Sequence, residues 1–405
     1  MRNRLAQLGQ RLPVVSYIKV QSRTLHLSSM RCIDGWLVFS SLALLALGWL
    51  MVSSASVAVA EFLSNNAQHY AIRQGVFAVL GLLIAFLVSQ VPLAFIQKHG
   101  LVFLSFAFIL LGSVLLIGRE INGSTRWISF GFFNLQTSEV AKICLIIYMA
   151  SYLTRHIKHV RETFTGFIKP LLLVLLYGSL LIFQPDYGSL VVVIAAVMGM
   201  VFLAGVKLKH FLLVLLTAIA GLVFIAVMEP YRVERLTSFT DPWSHQFNSG
   251  YQLTQALIAF GRGHWVGLGL GNSVQKLFYL PEAHTDFIFS ILAEELGLVG
   301  GLLTLALFVV LISRIFLIGR KCELVGHFFS AYLCYGLGGI FATQVLVNIG
   351  VNTGLLPTKG LTLPLISYGG SSLLASGMML GLIFRADYER RKQVFQEQTD
   401  EQPPI

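Results

Sequence analysis

Long apolar stretches alternate with short polar connections along almost the whole chain. A helix needs roughly 20 mainly apolar residues to cross the hydrocarbon core of a membrane. Ten stretches are candidates, at residues 35–57, 71–90, 100–118, 139–154, 170–184, 187–205, 209–228, 287–313, 326–349 and 368–386. We therefore predict an all-α, polytopic integral membrane protein with about ten transmembrane helices.

One polar segment is much longer than the others. Residues 229–285 separate the seventh and eighth apolar stretches and are predicted to form a large loop. The predicted organisation is a basic tail at residues 1–34, a membrane domain at residues 35–386 that includes this loop, and a polar tail at residues 387–405. The second tail is predicted to be disordered.

Composition agrees with a membrane protein. A chain of 405 residues would ordinarily suggest two or three soluble domains. Here 56% of the residues are hydrophobic, only 12% are charged, and the mean hydropathy is +0.75. These values exclude an ordinary soluble enzyme.

The distribution of charge predicts the orientation of the chain. If both termini are cytoplasmic, 20 of the 29 Lys and Arg residues lie on the inner side, eight lie on the outer side, and Lys142 lies within a helix. This is the bias expected of the cytoplasmic side of a membrane protein. The loop at 229–285 then faces outward. The net charge of +10 reflects topology, and no basic stretch suggests nucleic-acid binding.

The cysteines indicate neither a disulfide framework nor a metal site. They lie in apolar stretches or near the predicted inner face, and the predicted outer loops contain none; they are Cys32, Cys144, Cys322 and Cys334. Their spacing does not match a metal motif such as C-x-x-C.

Ionisable residues inside membrane helices are costly and often functional. Glu139 and Lys142 stand three residues apart at the outer start of the fourth helix, so they share one helix face and can pair. Two interpretations stay open. The pair can be purely structural, or Lys142 can offer its charge to an anionic headgroup while Glu139 holds it in place.

The end of the large loop carries the most suggestive pair of side chains. His284 and Asp286 precede an apolar helix, where water, headgroups and a low-dielectric wall meet. The alternative is that Thr285 or Asp286 caps this helix. Further along it, at least one of Glu294 and Glu295 is predicted to be a hydrogen-bonded structural carboxylate.

Three other features of the outer side are candidates for function. Trp127 is either an interfacial anchor or part of a site, and Arg73 is either a snorkelling residue or a ligand. Residues 356–372 combine prolines and glycines beside an apolar run, and irregular backbone at membrane depth is predicted to line a cavity. Asp186 follows a proline at a helix start, where capping is the expected role.

An enzyme that works on the outer side of a cytoplasmic membrane has no supply of ATP or nucleotide sugars. It must take its energy from the substrate itself. Glycosyl transfer from a lipid-linked diphosphate sugar meets this condition, because it needs a base for the incoming hydroxyl and cations for the departing diphosphate. The outer cations that fit are Arg73, Arg126, Lys142, Arg262 and Lys359. A transporter of the same lipid would need similar groups.

From residue 35 to 386 the chain resembles the SEDS family (shape, elongation, division and sporulation), which comprises integral-membrane peptidoglycan polymerases. The matching motifs, in order, are Gly123–Ile128, Ser138–Lys142, Gln184–Asp186, Gly250–Gln252, Pro281–Phe287 and Lys359–Ser372. The segments most similar to the division-specific members are Ser249–Phe260, Gly271–Leu277 and Lys359–Gly360.

The resemblance implies ten membrane helices and polymerisation of lipid II, the undecaprenyl-diphosphate-linked disaccharide-pentapeptide, into glycan strands at the outer face of the cytoplasmic membrane, at the division septum. The aspartate of the family's His-Thr-Asp motif maps onto Asp286, which is the expected catalytic residue. The expected substrate-binding residues are Arg73, Trp127, Glu139, Lys142, His284 and Lys359.

The resemblance also implies partners and a cofactor. The expected partners are a class B penicillin-binding protein, acting as the septal transpeptidase, and other divisome proteins. A divalent cation, Mg²⁺ or Mn²⁺, often supports the activity of the family, although the sequence contains no dedicated cage of oxygen ligands. His264 stands where many members have an acidic residue, which puts a second acidic metal ligand in doubt.

Two other functions stay open. The chain can be a lipid II flippase, since broken helices near Pro185 and Pro357–Pro364 are features that a transporter uses. It can also be a division scaffold that recruits a transpeptidase, which does not exclude catalysis.

Overall fold

The computed structural model describes residues 33–121, 124–129, 131, 134–228, 238–357 and 360–400. The helices are α1 (Gly35–Ala55), α2 (Val57–Ser64), α3 (His69–Ser89), α4 (Leu93–Lys98), α5 (Gly100–Ile117), α6 (Thr137–Glu162), α7 (Phe164–Phe183), α8 (Tyr187–Leu203), α9 (Leu208–Val227), α10 (Tyr251–Gly263), α11 (Ile288–Leu324), α12 (Phe328–Asn352) and α13 (Gly370–Asp400). The strands are β1 (Arg119–Ile121), β2 (Ser124–Ser129) and β3 (Asn134–Gln136).

Each of the ten predicted spans coincides with a helix: α1, α3, α5, α6, α7, α8, α9, α11, α12 and α13. Within the described ranges, seven of these helices are long and apolar enough to cross a membrane, namely α1, α3, α5, α6, α7, α11 and α12. The helix α8 and the first part of α9, Leu208–Gly221, are apolar but shorter. The predicted all-α, polytopic membrane architecture is confirmed.

A small antiparallel sheet with the order β1-β2-β3 covers the outer side between α5 and α6. Glu120 pairs with Thr125, and Ile128 pairs with Leu135. The run from Thr125 to Ile128 has a composition that favours strands, but it is too short to stand out among apolar helices.

The bundle is centred on α12. Of the apolar part of α12, 72% is buried inside the protein, whereas only 17% of the apolar part of α3 is buried. Gly339 of α12 lies so close to α8 that an added Cβ would meet the Cα of Ala196 at 3.2 Å. The close approach of these helices builds the rigid scaffold on which the outer segments rest.

The large outer loop is joined to α11 at a break in that helix. Gly297 has a φ of 68°, and the amides of the next residues, Leu298 and Val299, donate to the backbone oxygens of His264 (3.0 Å) and Trp265 (3.1 Å). In return the amide of Leu268 donates to the backbone oxygen of Glu294 (3.0 Å). The loop segment after α10 therefore replaces the missing helical partners.

The predicted disorder after residue 386 is wrong up to Asp400, because α13 continues to that residue. Asp387 forms ion pairs one turn ahead with Arg390 (2.7 Å) and Arg391 (2.7 Å), and Arg391 also lies 3.9 Å from Asp34 at the start of α1. These buried pairs hold the helix together beyond its apolar part.

Candidate active site

The end of the large outer loop forms a tight turn that presents His284 and Asp286. The backbone oxygen of Glu282 accepts hydrogen bonds from the amides of Thr285 (3.2 Å) and Phe287 (3.2 Å). The Thr285 hydroxyl donates to the Glu282 carboxylate at 2.7 Å. Ala283 and Phe287, each 3% exposed, anchor the turn in the core on both sides.

The backbone of Asp286 is held by two amides of α12. Nδ2 of Asn348 and Nδ2 of Asn352 donate to the backbone oxygen of Asp286, at 2.9 Å and 3.0 Å. The two asparagines stand four residues apart and so lie on one face of the helix. Both are buried, at 1% and 0% exposed.

The two preceding carbonyls are held by the segment before α13. The Ser367 hydroxyl donates to the backbone oxygen of Thr285 at 2.6 Å, and the Tyr368 amide donates to that of His284 at 3.0 Å. The three consecutive carbonyls of the His-Thr-Asp motif thus each accept a hydrogen bond from another part of the chain.

The carboxylate of Asp286 has a different environment from its backbone. It is partly exposed, and among the described residues it accepts no hydrogen bond and forms no ion pair. Gly360 lies directly against it, since a Cβ at that position would come within 2.8 Å of Oδ2. The N-cap of α11 is Phe287, without a side-chain capping bond, so the capping interpretation of Asp286 is wrong.

Protein surroundings raise the pKa of Asp286 to about 7. Burial is the main cause, the negative charge of Glu282 adds to it, and the positive charge of Arg126 opposes it. Arg126 is fixed at the α7–α8 junction, where it donates to the backbone oxygens of Gln184 (3.4 Å) and Pro185. The site therefore combines a carboxyl group that titrates near neutrality with a nearby cation.

His284 lies in an aromatic cluster. Its ring centroid is 4.9 Å from that of Tyr70 on α3 and 5.6 Å from that of Tyr368. Burial lowers the pKa of His284, against an opposing effect of Glu282. Its Nδ1 is buried and has no hydrogen-bond partner among the described residues.

Arg73 reaches the same cluster from α3. Burial raises the pKa of Tyr368, whereas a hydrogen bond from Arg73 to its hydroxyl lowers it. Arg73 itself is exposed. The structure therefore brings together Arg73, His284 and Asp286 of the predicted site residues.

The other predicted site residues lie apart from this group or are not described. Trp127 is half-buried on β2, next to Arg126 and on the opposite face of the strand. Lys142 donates to Glu139 at 2.7 Å, and their side chains are only 1% and 4% exposed. The predicted pairing is confirmed, and the headgroup role of Lys142 stays a prediction. Lys359 lies outside the described residues.

The other acidic residues singled out in the sequence are partners of structural groups. Asp186 caps α8 by accepting from the Ser189 amide at 3.3 Å, which confirms the capping prediction. Glu294 accepts from Arg262 (3.0 Å) and Glu295 from Lys276 (2.8 Å). The structural interpretation is thus confirmed for both glutamates.

A cavity of about 230 Å³ lies between α1, α3 and α13. Leu365 and Leu373 line it together with apolar residues of the three helices, which include Leu45, Leu82 and Phe384. Leu365 belongs to the irregular segment 356–372, so this part of the segment lines a cavity as predicted.

The predicted divalent cation stays a prediction. Among the residues that the structure describes, no group of three or more His, Cys, Asp and Glu side chains converges to hold a metal ion. Glu282 is the carboxylate that acts on Asp286.

The sequence analysis did not select Asn348, Asn352 and Ser367, although all three contact the His-Thr-Asp motif. One signal was present for the asparagines. Two amides four residues apart in an apolar helix are costly in a membrane, and such groups mark functional or packing sites. No comparable signal distinguishes Ser367 from the other serines of its segment.

A turn whose carboxylate has no hydrogen-bond or ion-pair partner among the described residues and lies near cations, on a polytopic helical bundle, is typical of a membrane-embedded enzyme that acts on an amphiphilic substrate. Residues 35–392 match the model of the family described as "Cell cycle protein", which comprises FtsW, RodA and SpoVE. This chain belongs to that family, which confirms the resemblance to the SEDS proteins.

Curated relatives are similar over almost their whole length. The chain is 51% identical to the "Probable peptidoglycan glycosyltransferase FtsW" of Halomonas elongata, over 90% of this chain and 93% of the relative. It is 52% identical to the protein of the same name from Hahella chejuensis, over 91% and 92%.

Solved structures share the fold. One, described as "Structural coordination of polymerization and crosslinking by a peptidoglycan synthase complex", is 33% identical with a TM-score of 0.74, and covers 88% of this chain and 98% of that chain. The rod shape determining protein RodA of Thermus thermophilus is 31% identical with a TM-score of 0.66, over 88% and 97%.

Proposed function

We propose that this chain is a peptidoglycan glycosyltransferase that polymerises lipid II into glycan strands at the outer face of the cytoplasmic membrane during septal wall synthesis. The observation that carries the proposal is the 51% identity, over 90% of the chain, to a relative named as a peptidoglycan glycosyltransferase. The candidate site supplies the groups that this reaction needs.

Asp286 acts as the general base. Its carboxylate accepts the proton of the 4-hydroxyl group of the acceptor sugar, and that oxygen attacks the anomeric carbon of the donor. The bond from the anomeric carbon to the diphosphate breaks, and undecaprenyl diphosphate leaves with the electron pair. A pKa of about 7 suits this role, because a base is most effective when its pKa lies near the working pH.

Arg126 and Arg73 are the cations placed to stabilise the departing diphosphate. The side chain of Arg126 is 25% exposed, and its charge acts on Asp286. Arg73 is exposed at the mouth of the aromatic cluster. Guanidinium groups bind phosphate oxygens through paired hydrogen bonds, which favours the diphosphate as it gains charge.

The location and partners of the chain follow from the same proposal. The chain is a multi-pass membrane protein; we place it in the bacterial inner membrane at the septum, with both termini cytoplasmic. Its partners are lipid II, a class B penicillin-binding protein that cross-links the new strands, and other divisome proteins. The excess of Lys and Arg on the inner side supports the orientation.

The test is a polymerisation assay. The chain is purified in detergent with its cognate transpeptidase and given labelled lipid II, and glycan strands are separated by length. Transport has no meaning in detergent, so strands indicate a polymerase and not a flippase. We expect Asp286→Asn to abolish strand formation and Asp241→Asn to leave it unchanged; Asp241 is an exposed aspartate of the same loop whose carboxylate accepts from the amide and the hydroxyl of Ser244. Full activity in Asp286→Asn would refute the site.

A further inference from the structure

We propose that Asn348, Asn352 and Ser367 are positioning residues of the reaction: they fix the backbone of the His-Thr-Asp turn and so aim the carboxylate of Asp286 at the acceptor hydroxyl. The inference rests on the proposed function. None of the three residues needs to touch the substrate, because each acts through a backbone oxygen of the turn.

Asn352 is oriented by a second contact. Its Oδ1 accepts from both the amide (3.1 Å) and the hydroxyl (2.7 Å) of Ser290 in the first turn of α11. This fixes which end of the amide carries the oxygen, so Nδ2 must face Asp286 and the backbone oxygen of Asn348. One side chain thus ties α12 to both sides of the junction between the outer loop and α11.

Asn348 couples the turn to the segment that faces the carboxylate. Its Nδ2 donates to the backbone oxygens of Asp286 (2.9 Å) and Leu361 (2.6 Å). Leu361 follows Gly360, where an added Cβ would come within 2.8 Å of Oδ2 of Asp286. The buried side-chain amide of Asn348 therefore sets the distance between the backbone of Asp286 and the Gly360–Leu361 segment that faces its carboxylate.

Ser367 performs the same task one residue earlier in the turn. Its hydroxyl donates to the backbone oxygen of Thr285 (2.6 Å) and accepts from the Leu363 amide (2.8 Å). Ser367 is 2% exposed, so its two contacts are shielded from water. One contact of Ser367 thus lies within the irregular segment 356–372, and the other joins this segment to the His-Thr-Asp turn.

Holding the backbone has a chemical consequence that holding the side chain would not have. A donor to the carboxylate would stabilise its charged form, lower its pKa and weaken it as a base. Donors to the backbone oxygens restrict where the carboxylate lies and leave its oxygens free for a proton. Among the described residues, the side-chain donors that bond Asp286 reach its backbone oxygen and not its carboxylate.

Among the described residues, two charged groups act on Asp286. Glu282 belongs to its own turn, and Arg126 approaches from β2. Asn348, Asn352 and Ser367 carry no charge, so replacing them changes no electrostatic partner of the carboxylate. A shift of its titration in such a variant must therefore come from a change in its position or its contact with water.

The experiment measures kcat, KM and their pH dependence for Asn348→Ala, Asn352→Ala and Ser367→Ala, in complex with the transpeptidase. The matched controls are Gln344→Ala, a buried amide one turn away on α12, and Ser376→Ala, a buried serine of α13. We expect kcat per folded molecule to fall about 10- to 100-fold with little change in KM, as misplacement of a catalytic group does. The acidic limb of the pH–rate profile should move to a lower pH than in the unmodified chain, because a carboxyl group that is no longer held in place reaches water.

A purely structural role would lower the folded yield and leave kcat per folded molecule and the acidic limb unchanged, which would overturn the inference. An equal effect in the two control variants would also overturn it. Asp286→Asn is measured in parallel. If that variant stays active, the proposed base is wrong; if it is inactive while the three positioning variants behave like the controls, only the inference fails.

Discussion

Asp286 and the pair Glu294–Glu295 are acidic residues of one short stretch of chain, yet their environments are opposite. Glu294 accepts hydrogen bonds from the Ser273 hydroxyl and from the amides of Val274 (3.2 Å) and Gln275 (3.3 Å). The carboxylate of Asp286 has no such donor among the described residues. If burial alone were the criterion, the glutamates would be better candidates for a functional role than Asp286, because both are 0% exposed whereas Asp286 is partly exposed.

The two environments differ in the partners of the carboxylates. A buried charge is tolerated when donors and an opposite charge surround it. The carboxylate of Asp286 has no donor among the described residues, and burial raises its pKa although the nearby cation Arg126 lowers it. Glu294 and Glu295 join the outer loop to α11 through ion pairs with Arg262 and Lys276, whereas the carboxylate of Asp286 makes no such pair among the described residues.

The largest expected effect comes from replacing a carboxyl group by an amide, at Asp286 and, for comparison, at Glu294. Asp286→Asn should lower the polymerisation rate by about 10²- to 10⁴-fold, the usual contribution of a general base, without loss of folded protein. Glu294→Gln should instead lower the folded yield, because the amide cannot neutralise Arg262 or accept from as many donors. Strand formation and thermal unfolding of the two variants, measured side by side, check both expectations.

The raised pKa of Asp286 also predicts a pH dependence of stability. The folded-state pKa of Asp286 is raised to about 7 from 3.8, so the folded protein holds a proton that the unfolded chain releases. The contribution of this group is fully present below its unfolded pKa and is lost as the pH rises through its folded pKa. Between about pH 4 and 7, Asp286→Asn should therefore lack a decline in unfolding temperature that the unmodified chain shows.

Removing the cation that pairs with Glu295 gives the next largest effect. Lys276→Met removes the cation from Glu295, which is 0% exposed, and leaves only the Ser54 hydroxyl to bond it among the described residues. Breaking a buried ion pair in this way costs about 3–5 kcal/mol. We expect a clearly lower unfolding temperature, and a variant as stable as the unmodified chain would contradict the structural assignment.

Lys142→Met applies the same logic to the pair whose role the sequence left open. Loss of Lys142 should strand Glu139 and lower the folded yield, because both side chains are almost fully buried. Normal yield with loss of activity would instead support a headgroup role for Lys142. Detergent-solubilised yield and strand formation distinguish the two outcomes.

Arg126→Gln should give the smallest effect on folding and a specific effect on titration. The positive charge of Arg126 lowers the pKa of Asp286, so its removal should raise that pKa further. The acidic limb of the polymerisation rate should then move to higher pH. An unmoved limb would mean that the arginine does not act on the base.

The sequence predicted the helices well, since an apolar run of membrane length has few alternatives. It also placed Asp286 and His284 just before an apolar helix, as the structure shows, because a polar motif at the end of an apolar stretch is visible in the sequence. The break at Gly297 could not be predicted, because it exists only where the segment after α10 replaces its hydrogen bonds.

The positioning of Asp286 was equally invisible in the sequence. Asn348 and Ser367 belong to elements distant from the turn, and only the fold brings their donors to its carbonyls. The capping interpretation of Asp286 was locally reasonable, and it is wrong because those tertiary contacts place Phe287 at the helix start instead.

The most direct test of the central claim is the pH dependence of kcat/KM for lipid II polymerisation by the purified complex. If the partnerless carboxylate of Asp286 is the base, the rate should rise with pH through a single acidic limb with its midpoint near 7. A limb near the ordinary aspartate value of 3.8, or a rate independent of pH across this range, would contradict the account.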